Sequence, residues 1–170
     1  MPALLSIVGR KGSGKSEVLE TLISLLTQRR FRVGVIKHLA RDDFEIDEPT
    51  KDTYHYRAQG AQTVVLAGRR RLALFSNLEA EVPLESILKF FSNFDLVFLE
   101  GYFHDEIPKI EVHKKALGDL LLTEKVENIF ALCSDNPPNR PLRHFSFNQM
   151  ERLAFLIEEE LLKKETEVSA

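Results

Sequence analysis

Apolar positions fall in short blocks along this chain, and each block has a period. Residues 3–8, Ala-Leu-Leu-Ser-Ile-Val, form an apolar run that stops at Gly9 and predicts a buried strand. Over residues 15–30 the apolar side chains Val18, Leu19, Leu22, Ile23, Leu25 and Leu26 recur at helical spacing. Arg29 and Arg30 are expected in the last turn of that helix, where cations suit its dipole. Residues 32–37, with Val33, Val35 and Ile36, predict a second strand. Strand, helix and strand within about 35 residues are the βαβ unit of a parallel sheet.

The pattern continues to the other end. Residues 39–53 are acidic, carry Pro49 and are expected as a loop, followed by a short helix over 53–59 that Gly60 closes. Residues 62–67 and 71–75 read as two strands around Gly68-Arg69-Arg70, a β-hairpin. Residues 83–91 repeat Leu84, Ile87, Leu88 and Phe91 at helical spacing, with Pro83 suited to the first turn. Strands are expected at 96–99, around Ile110 and Val112, and at 129–133. A helix over 148–164 places Met150, Leu153, Ala154, Ile157 and Leu161 on one face, and residues 165–170 are expected to fray. No repeat, low-complexity tract or linker interrupts the chain, so one domain over 1–164 is expected. The fold class is α/β: a mainly parallel sheet flanked by helices, with a hairpin insertion.

Composition narrows the function classes. With 170 residues, 44% hydrophobic and 29% charged, the chain has the make-up of an ordinary globular domain, not of a disordered, collagenous or disulfide-stapled one. A net charge of -3 gives no basic excess for nucleic acid. The apolar runs are far shorter than the roughly 20 residues of a membrane span, so no membrane association is expected. The start, Met1-Pro2-Ala3-Leu4-Leu5, has neither the basic residues nor the apolar stretch of a secretory signal. The single Cys133 has no intrachain partner and offers no zinc cluster, and the expected compartment is the reducing cytoplasm.

The strongest chemical signal is Gly9-Arg10-Lys11-Gly12-Ser13-Gly14-Lys15-Ser16, which fits G-x-x-x-x-G-K-[ST] between a predicted strand and a predicted helix. Glycines let the backbone wrap an anion and adopt positive φ. The amides around Gly12, Ser13 and Gly14 and the helix N-terminus then face phosphates. Lys15 is expected at the β- and γ-phosphates, and the Ser16 hydroxyl on Mg²⁺. This is the fold and loop of a P-loop nucleotide-binding protein. Arg10 and Lys11 are expected as solvated loop charges.

Such a site also needs a carboxylate at the end of a neighbouring strand. Asp95 and Glu100 flank the run 96–99 and lie roughly 16 Å apart along a strand. Ligands of α/β sheets bind at the carboxyl ends of strands, which selects Glu100 for the metal and leaves Asp95 to the strand start. Lys37-His38 ends the second strand and is expected to overlook the phosphates. Asp47 and Asp52 follow on the acidic loop, Asp47 being the candidate for a further metal contact. A solvated loop is the equal alternative.

At these residues the sequence resembles the molybdopterin-guanine dinucleotide biosynthesis protein B family, MobB. Beside the phosphate loop, the resemblance rests on Val35-Ile36-Lys37-His38, on Asp47-Glu48-Pro49-Thr50-Lys51-Asp52-Thr53, and on Arg57-Ala58-Gln59-Gly60-Ala61. Phe98-Leu99-Glu100-Gly101-Tyr102, Ile107-Pro108-Lys109-Ile110-Glu111 and Ala131-Leu132-Cys133-Ser134-Asp135 continue it, so that it spans about residues 3–136. The chain departs from the family pattern at Leu39-Ala40-Arg41, where further histidines are common, and at Thr50, where Gly is usual. The resemblance implies a GTP-binding accessory protein of molybdenum-cofactor maturation, with Mg²⁺ as cofactor and weak GTP hydrolysis at most. It implies a homodimer and, as partners, the molybdopterin guanylyltransferase and molybdopterin itself. The hairpin over 62–75 is the candidate subunit contact, since a compact P-loop core does not need it.

For guanine, the N-K-x-D signature of many GTPases is absent. Asp135, after the last long strand, is the candidate to accept from guanine N1 and N2; a turn-forming Asp before Pro137-Pro138 is the equal alternative. His38, His55, His104, His113 and His144 have no zinc-helix spacing, and Cys133 reads as core packing. Arg69-Arg70-Arg71 reads as a solvated hairpin tip. The competing function on the same scaffold is a small-molecule kinase.

Overall fold

The computed structural model describes residues 1–39, 47–103, 106–118, 121–122, 127–139 and 141–163. By backbone contact the chain forms two compact units, Met1–Leu39 with Phe91–Ala170, and Ala40–Phe90. The tail expected to fray over 165–170 lies outside the described residues, as does His104.

The larger unit is built on a six-stranded sheet. Its strands are β1 (Ala3–Val8), β2 (Val33–Lys37), β5 (Leu96–Glu100), β6 (Lys109–His113), β7 (Ile129–Ser134) and β8 (His144–Phe145). They lie in the order β2-β5-β1-β6-β7-β8, and every pairing is parallel. The expected parallel sheet is present, with β8 as an added edge strand that two residues of sequence did not announce. β1, β5 and β7 read as mostly apolar runs because both of their faces are buried, whereas β6 alternates charged and apolar residues although it is buried as well.

Helices α1 (Lys15–Gln28) and α4 (Met150–Ile157) share one core with the sheet. Leu5 and Ile7 of β1, Leu96 and Phe98 of β5, Ile110 and Val112 of β6, and Ala131 and Cys133 of β7 alternate toward Val18, Leu22 and Leu26 of α1 and Leu153 and Ile157 of α4. Each fully buried Leu here contributes about 1.5–3 kcal/mol of apolar transfer. Cys133 is part of this core, as expected, and burial pushes its thiol up to about 12, which leaves it inert at neutral pH.

Two helix ends differ from the expected boundaries. α1 stops at Gln28 because Arg30 takes φ 70. The amides of Arg30 and Phe31 then bond back to Thr27 O and Leu26 O, which is a Schellman closure with arginine where glycine is usual. Arg29 and Arg30 therefore follow the helix and are not in its last turn. Arg29 reaches Glu151 at 2.7 Å and Glu158 at 3.1 Å, tying the end of α1 to the α4 region. The expected helix over 148–164 is α-helical only to Ile157 and runs on as a π-type turn, Glu158–Leu162.

The smaller unit holds α2 (Asp52–Ala58), the antiparallel pair β3 (Thr63–Ala67) and β4 (Leu72–Ser76), and α3 (Leu84–Leu88). This is the expected hairpin. α2 meets it where Arg57 lies over the Phe75 ring, 5.4 Å from the centroid. The other hairpin face carries Val65, Leu72 and Leu74, which are 51%, 69% and 55% exposed. α3 is shorter than the span 83–91, with Pro83 at its N-cap and a 3-10 turn, Lys89–Phe91, after it. Among the described residues no helix is long and apolar enough to cross a membrane.

Asp95 sits at the entry of β5, as its place in the sequence suggests. Its carboxylate accepts the Arg32 amide at 2.6 Å and the Arg32 guanidinium at 3.2 Å. Burial pushes this carboxyl up, but the two Arg32 bonds and the guanidinium charge outweigh it, so its pKa falls below the ordinary value. A depressed carboxyl stabilises the fold above its unfolded pKa, and that contribution is lost as pH falls through the folded pKa. Asp95→Asn should therefore cost about 1 kcal/mol at pH 7, discounted for exposure, or roughly 2–4 °C in Tm. The gap between the two melting curves should close as pH falls below 3.8. Equal melting temperatures at pH 7 would remove this role.

Candidate functional site

The loop between β1 and α1 leaves the sheet at Gly9, with φ 154. A Cβ at that position would lie 2.4 Å from Val112 O and 2.7 Å from Ser13 Oγ, so only glycine lets the loop pass the end of β6. The Ser13 amide bonds to Arg10 O at 3.1 Å and turns the chain. Gly14, at φ 93, is the N-cap of α1, and its carbonyl accepts the Val18 amide. Among the described residues no side chain caps the helix, so its first-turn amides stay available to an anion.

The loop opens on a cleft of about 380 Å³. Gly12, Gly14, Lys15 and Ser16 of the loop line it, with Glu100 and Lys114; Lys11 and Glu17 complete the wall. Strand order explains who is there. β5 and β6 flank β1 on either side. Glu100 ends β5, level with Ile7 of β1, and Lys114 directly follows β6. Both therefore stand at the carboxyl edge of the sheet, where α/β proteins bind ligands. Asp95, at the other end of β5, does not line the cleft.

Lys15 Nζ donates to two carbonyls of its own loop, Gly9 O at 2.8 Å and Arg10 O at 3.0 Å. Desolvation lowers its pKa, with Lys37 adding to the effect and Glu100 opposing it. An ammonium in this setting gains from any anion that enters. Glu100 is mostly buried, and Lys37 Nζ lies 3.3 Å from its Oε2. The strand register places the two residues opposite each other, Lys37 on β2 and Glu100 on β5. Ser13 is buried to 1% exposure, and its Oγ has no hydrogen-bond partner among the described residues. Such an orphaned buried donor calls for an explanation. These features fit a polyphosphate. The oxygen pair Ser16 and Glu100 fits Mg²⁺, which takes one or two protein oxygens and completes its shell with phosphate and water.

The other expected residues have their own settings. His38 bonds through its amide to Glu100 O at 2.8 Å, and its ring lies 5.1 Å from that of Tyr102. It backs Glu100 and Gly101 and does not line the cleft. A Cβ on Gly101, at φ 87, would stand 3.1 Å from His38 O. Asp135 is exposed, and its Oδ1 accepts the Lys115 amide at 2.8 Å, anchoring the 3-10 turn Lys115–Leu117. Within the smaller unit, Asp47 Oδ1 accepts the Thr53 hydroxyl and the Glu48 amide, both at 3.0 Å, and Arg57 lies 3.9 Å from its Oδ2. Asp47 thus shapes the entry to α2.

Some residues escaped the sequence. Arg10, expected to be solvated, donates to Leu117 O at 3.1 Å and ties the loop to the turn after β6. Lys114 carried no motif, and its place became visible only with the strand order. On β6, Lys109, Glu111 and His113 are all buried, on the face opposite Ile110 and Val112. Lys109 Nζ donates to Ile107 O at 2.7 Å, and Glu111 Oε1 accepts the Leu122 amide at 2.6 Å.

Strand, glycine loop, helix and flanking strand-end carboxylate define the class: a P-loop nucleotide-binding protein on an all-parallel sheet. The family model described as "Molybdopterin guanine dinucleotide synthesis protein B" matches residues 4–135. The chain belongs to this family, MobB. It is 32% identical to the Escherichia coli (strain K12) "Molybdopterin-guanine dinucleotide biosynthesis adapter protein", over 96% of each chain. The Haemophilus influenzae protein of the same description is also 32% identical, over 91% of this chain and 87% of its own. A solved structure titled "Crystal Structure of molybdopterin-guanine biosynthesis protein B (mobB)" superposes with a TM-score of 0.73 at 28% identity, covering 93% of this chain and 98% of that one.

Proposed function

We propose that this protein binds GTP with Mg²⁺ and acts in the cytoplasm as an accessory to the guanylyltransferase that attaches GMP to molybdopterin. The observation that carries the reading is the cleft at the carboxyl edge of β1, with Lys15, Ser16 and Glu100 around it. Lys15 is to exchange the Gly9 and Arg10 carbonyls for the β- and γ-phosphates, while the amides of Gly12, Ser13 and Gly14 cradle the chain of phosphates. Ser16 and Glu100 are to hold Mg²⁺, which would offset phosphate charge. Lys37 orients Glu100, and His38 supports the turn behind it. Asp47 stays a candidate for a further metal contact and Asp135 for the guanine base.

The helper role follows from what a P-loop presents. Attaching GMP needs attack on the α-phosphate and room for a second substrate, whereas this loop usually offers the γ-phosphate. Residues 1–164 are taken as one nucleotide-binding domain. Weak hydrolysis fits, since among the described residues the cleft lining contains neither glutamine nor arginine. The names of the Escherichia coli and Haemophilus influenzae relatives, adapter proteins of molybdopterin-guanine dinucleotide biosynthesis, support the same reading. The exposed apolar face of the hairpin, Val65, Leu72 and Leu74, supports a homodimer through this element. A lone two-stranded hairpin is marginal in water and gains from being covered.

Lys15→Ala should weaken GTP binding about 10-fold or more. Glu100→Gln should lose the Mg²⁺ dependence of binding, and Asp95→Asn should keep it. Titration calorimetry reads all three, and unchanged GTP affinity in Lys15→Ala would remove the phosphate-loop reading. In a reconstituted guanylation assay at limiting GTP, adding the protein should raise rate or yield and a complex with the transferase should form. If neither changes and turnover appears only with a small acceptor, the protein is a kinase. Sedimentation tests the dimer: Leu72→Glu with Leu74→Glu should give monomers, and an unchanged dimer would move the interface elsewhere.

A further inference from the structure

We infer that Lys114 is a second phosphate-binding lysine, and that it serves the α/β end of the polyphosphate while Lys15 serves the β/γ end. The inference rests on the nucleotide reading above and names a residue that no motif in the sequence marks.

Three observations carry it. Lys114 lines the same cleft as Lys15 and Ser16, and it comes from a different strand end. Its position mirrors that of Glu100: β5 delivers a carboxylate on one side of β1, and β6 delivers an ammonium on the other. Its reach is directed at one end of the loop. The place where a Cβ on Gly14 would stand is 3.3 Å from both Lys114 Cε and Nζ, so the lysine lies over the helix N-cap. The backbone there belongs to the part of such a loop that cradles the α- and β-phosphates.

The groups that hold Lys114 now are weak competitors. Glu17, itself 79% exposed at its side chain, is 4.0 Å from Nζ. The Phe147 ring lies 5.6 Å away and gives the ammonium an apolar face to rest on. An exposed pair at that distance is weaker than a charge-assisted bond to phosphate. A polyphosphate in the cleft should draw Nζ off Glu17. The hydrogen bond from Arg10 to Leu117 O and that from the Lys115 amide to Asp135 fix the turn on which Lys114 stands. The lysine is therefore carried on an anchored backbone, with a side chain free to swing.

The test is calorimetric titration of the full chain with GTP and with GDP, each with Mg²⁺, for wild type, Lys114→Gln, Lys114→Arg and Glu17→Gln. Both nucleotides share the α- and β-phosphates. Lys114→Gln should therefore weaken both by a similar factor, about 10-fold. Lys114→Arg should lose clearly less than Lys114→Gln, because it keeps a cation that binds phosphate. Glu17→Gln should bind both nucleotides more tightly than wild type, since it frees the lysine and removes a negative charge from the cleft. A loss confined to GTP would place Lys114 at the γ-phosphate and overturn the assignment. So would unchanged affinity in Lys114→Gln, or weakening in Lys114→Arg equal to that in Lys114→Gln. If wild type itself binds neither nucleotide, the nucleotide reading falls and takes this inference with it; if wild type binds and only the Lys114 variants behave otherwise than stated, the nucleotide reading stands without it.

Discussion

The larger unit is organised by how closely the loop after β1 approaches the end of β6. Gly9 passes so near that a single added carbon would stand 2.4 Å from Val112 O. That approach sets where α1 begins, where the Lys15 ammonium meets the loop carbonyls, and which strand ends border the cleft. The sheet order does the rest. Because β5 and β6 are the neighbours of β1, the cleft receives Glu100 on one side and Lys114 on the other. The core of Leu5, Ile7, Leu22 and Leu26 fixes β1 and α1 against each other, so the loop joining them has rigid ends. A loop held in this way needs little rearrangement to take an anion, which lowers the cost of binding.

Much of this was legible because it rests on local rules. The apolar run over 3–8, the helical spacing after residue 15 and the glycine pattern between them give β1, the loop and α1 directly. The choice of Glu100 over Asp95 followed from strand direction, and the Arg32 bonds of Asp95 give that residue its own structural role at the entry of β5. The hairpin was legible from alternation and turn residues. Its face with Val65, Leu72 and Leu74 is exposed, and the alternation places these three residues on one side.

What escaped depends on contacts distant in sequence or on unusual local chemistry. α1 ends on an arginine with positive φ, where glycine or asparagine is the usual sign. Lys109 and Glu111 are charged residues with no exposure above 1%, in a strand whose neighbours on both sides are parallel. Their charge alone gives no sign of burial; position in the sheet buries them with hydrogen-bond partners. Lys114 belongs to the same class: an ordinary lysine in the sequence, and a wall of the cleft once β6 stands beside β1. Asp135 and His38, both read as near the ligand, also have structural bonds that the sequence did not announce. Asp135 fixes the turn carrying Lys114, and His38 fixes the turn after Glu100.

The central claim is that Lys15 and Glu100 are held by protein groups that a nucleotide and its metal replace. A crystal structure with a non-hydrolysable GTP analogue and Mg²⁺ tests it most directly. The account predicts Lys15 Nζ on phosphate oxygen, away from Gly9 O and Arg10 O, with Ser16 and Glu100 on the metal or its water and the Lys37 contact loosened. An analogue bound elsewhere, with Lys15 still on the two carbonyls and Glu100 still on Lys37, would contradict it.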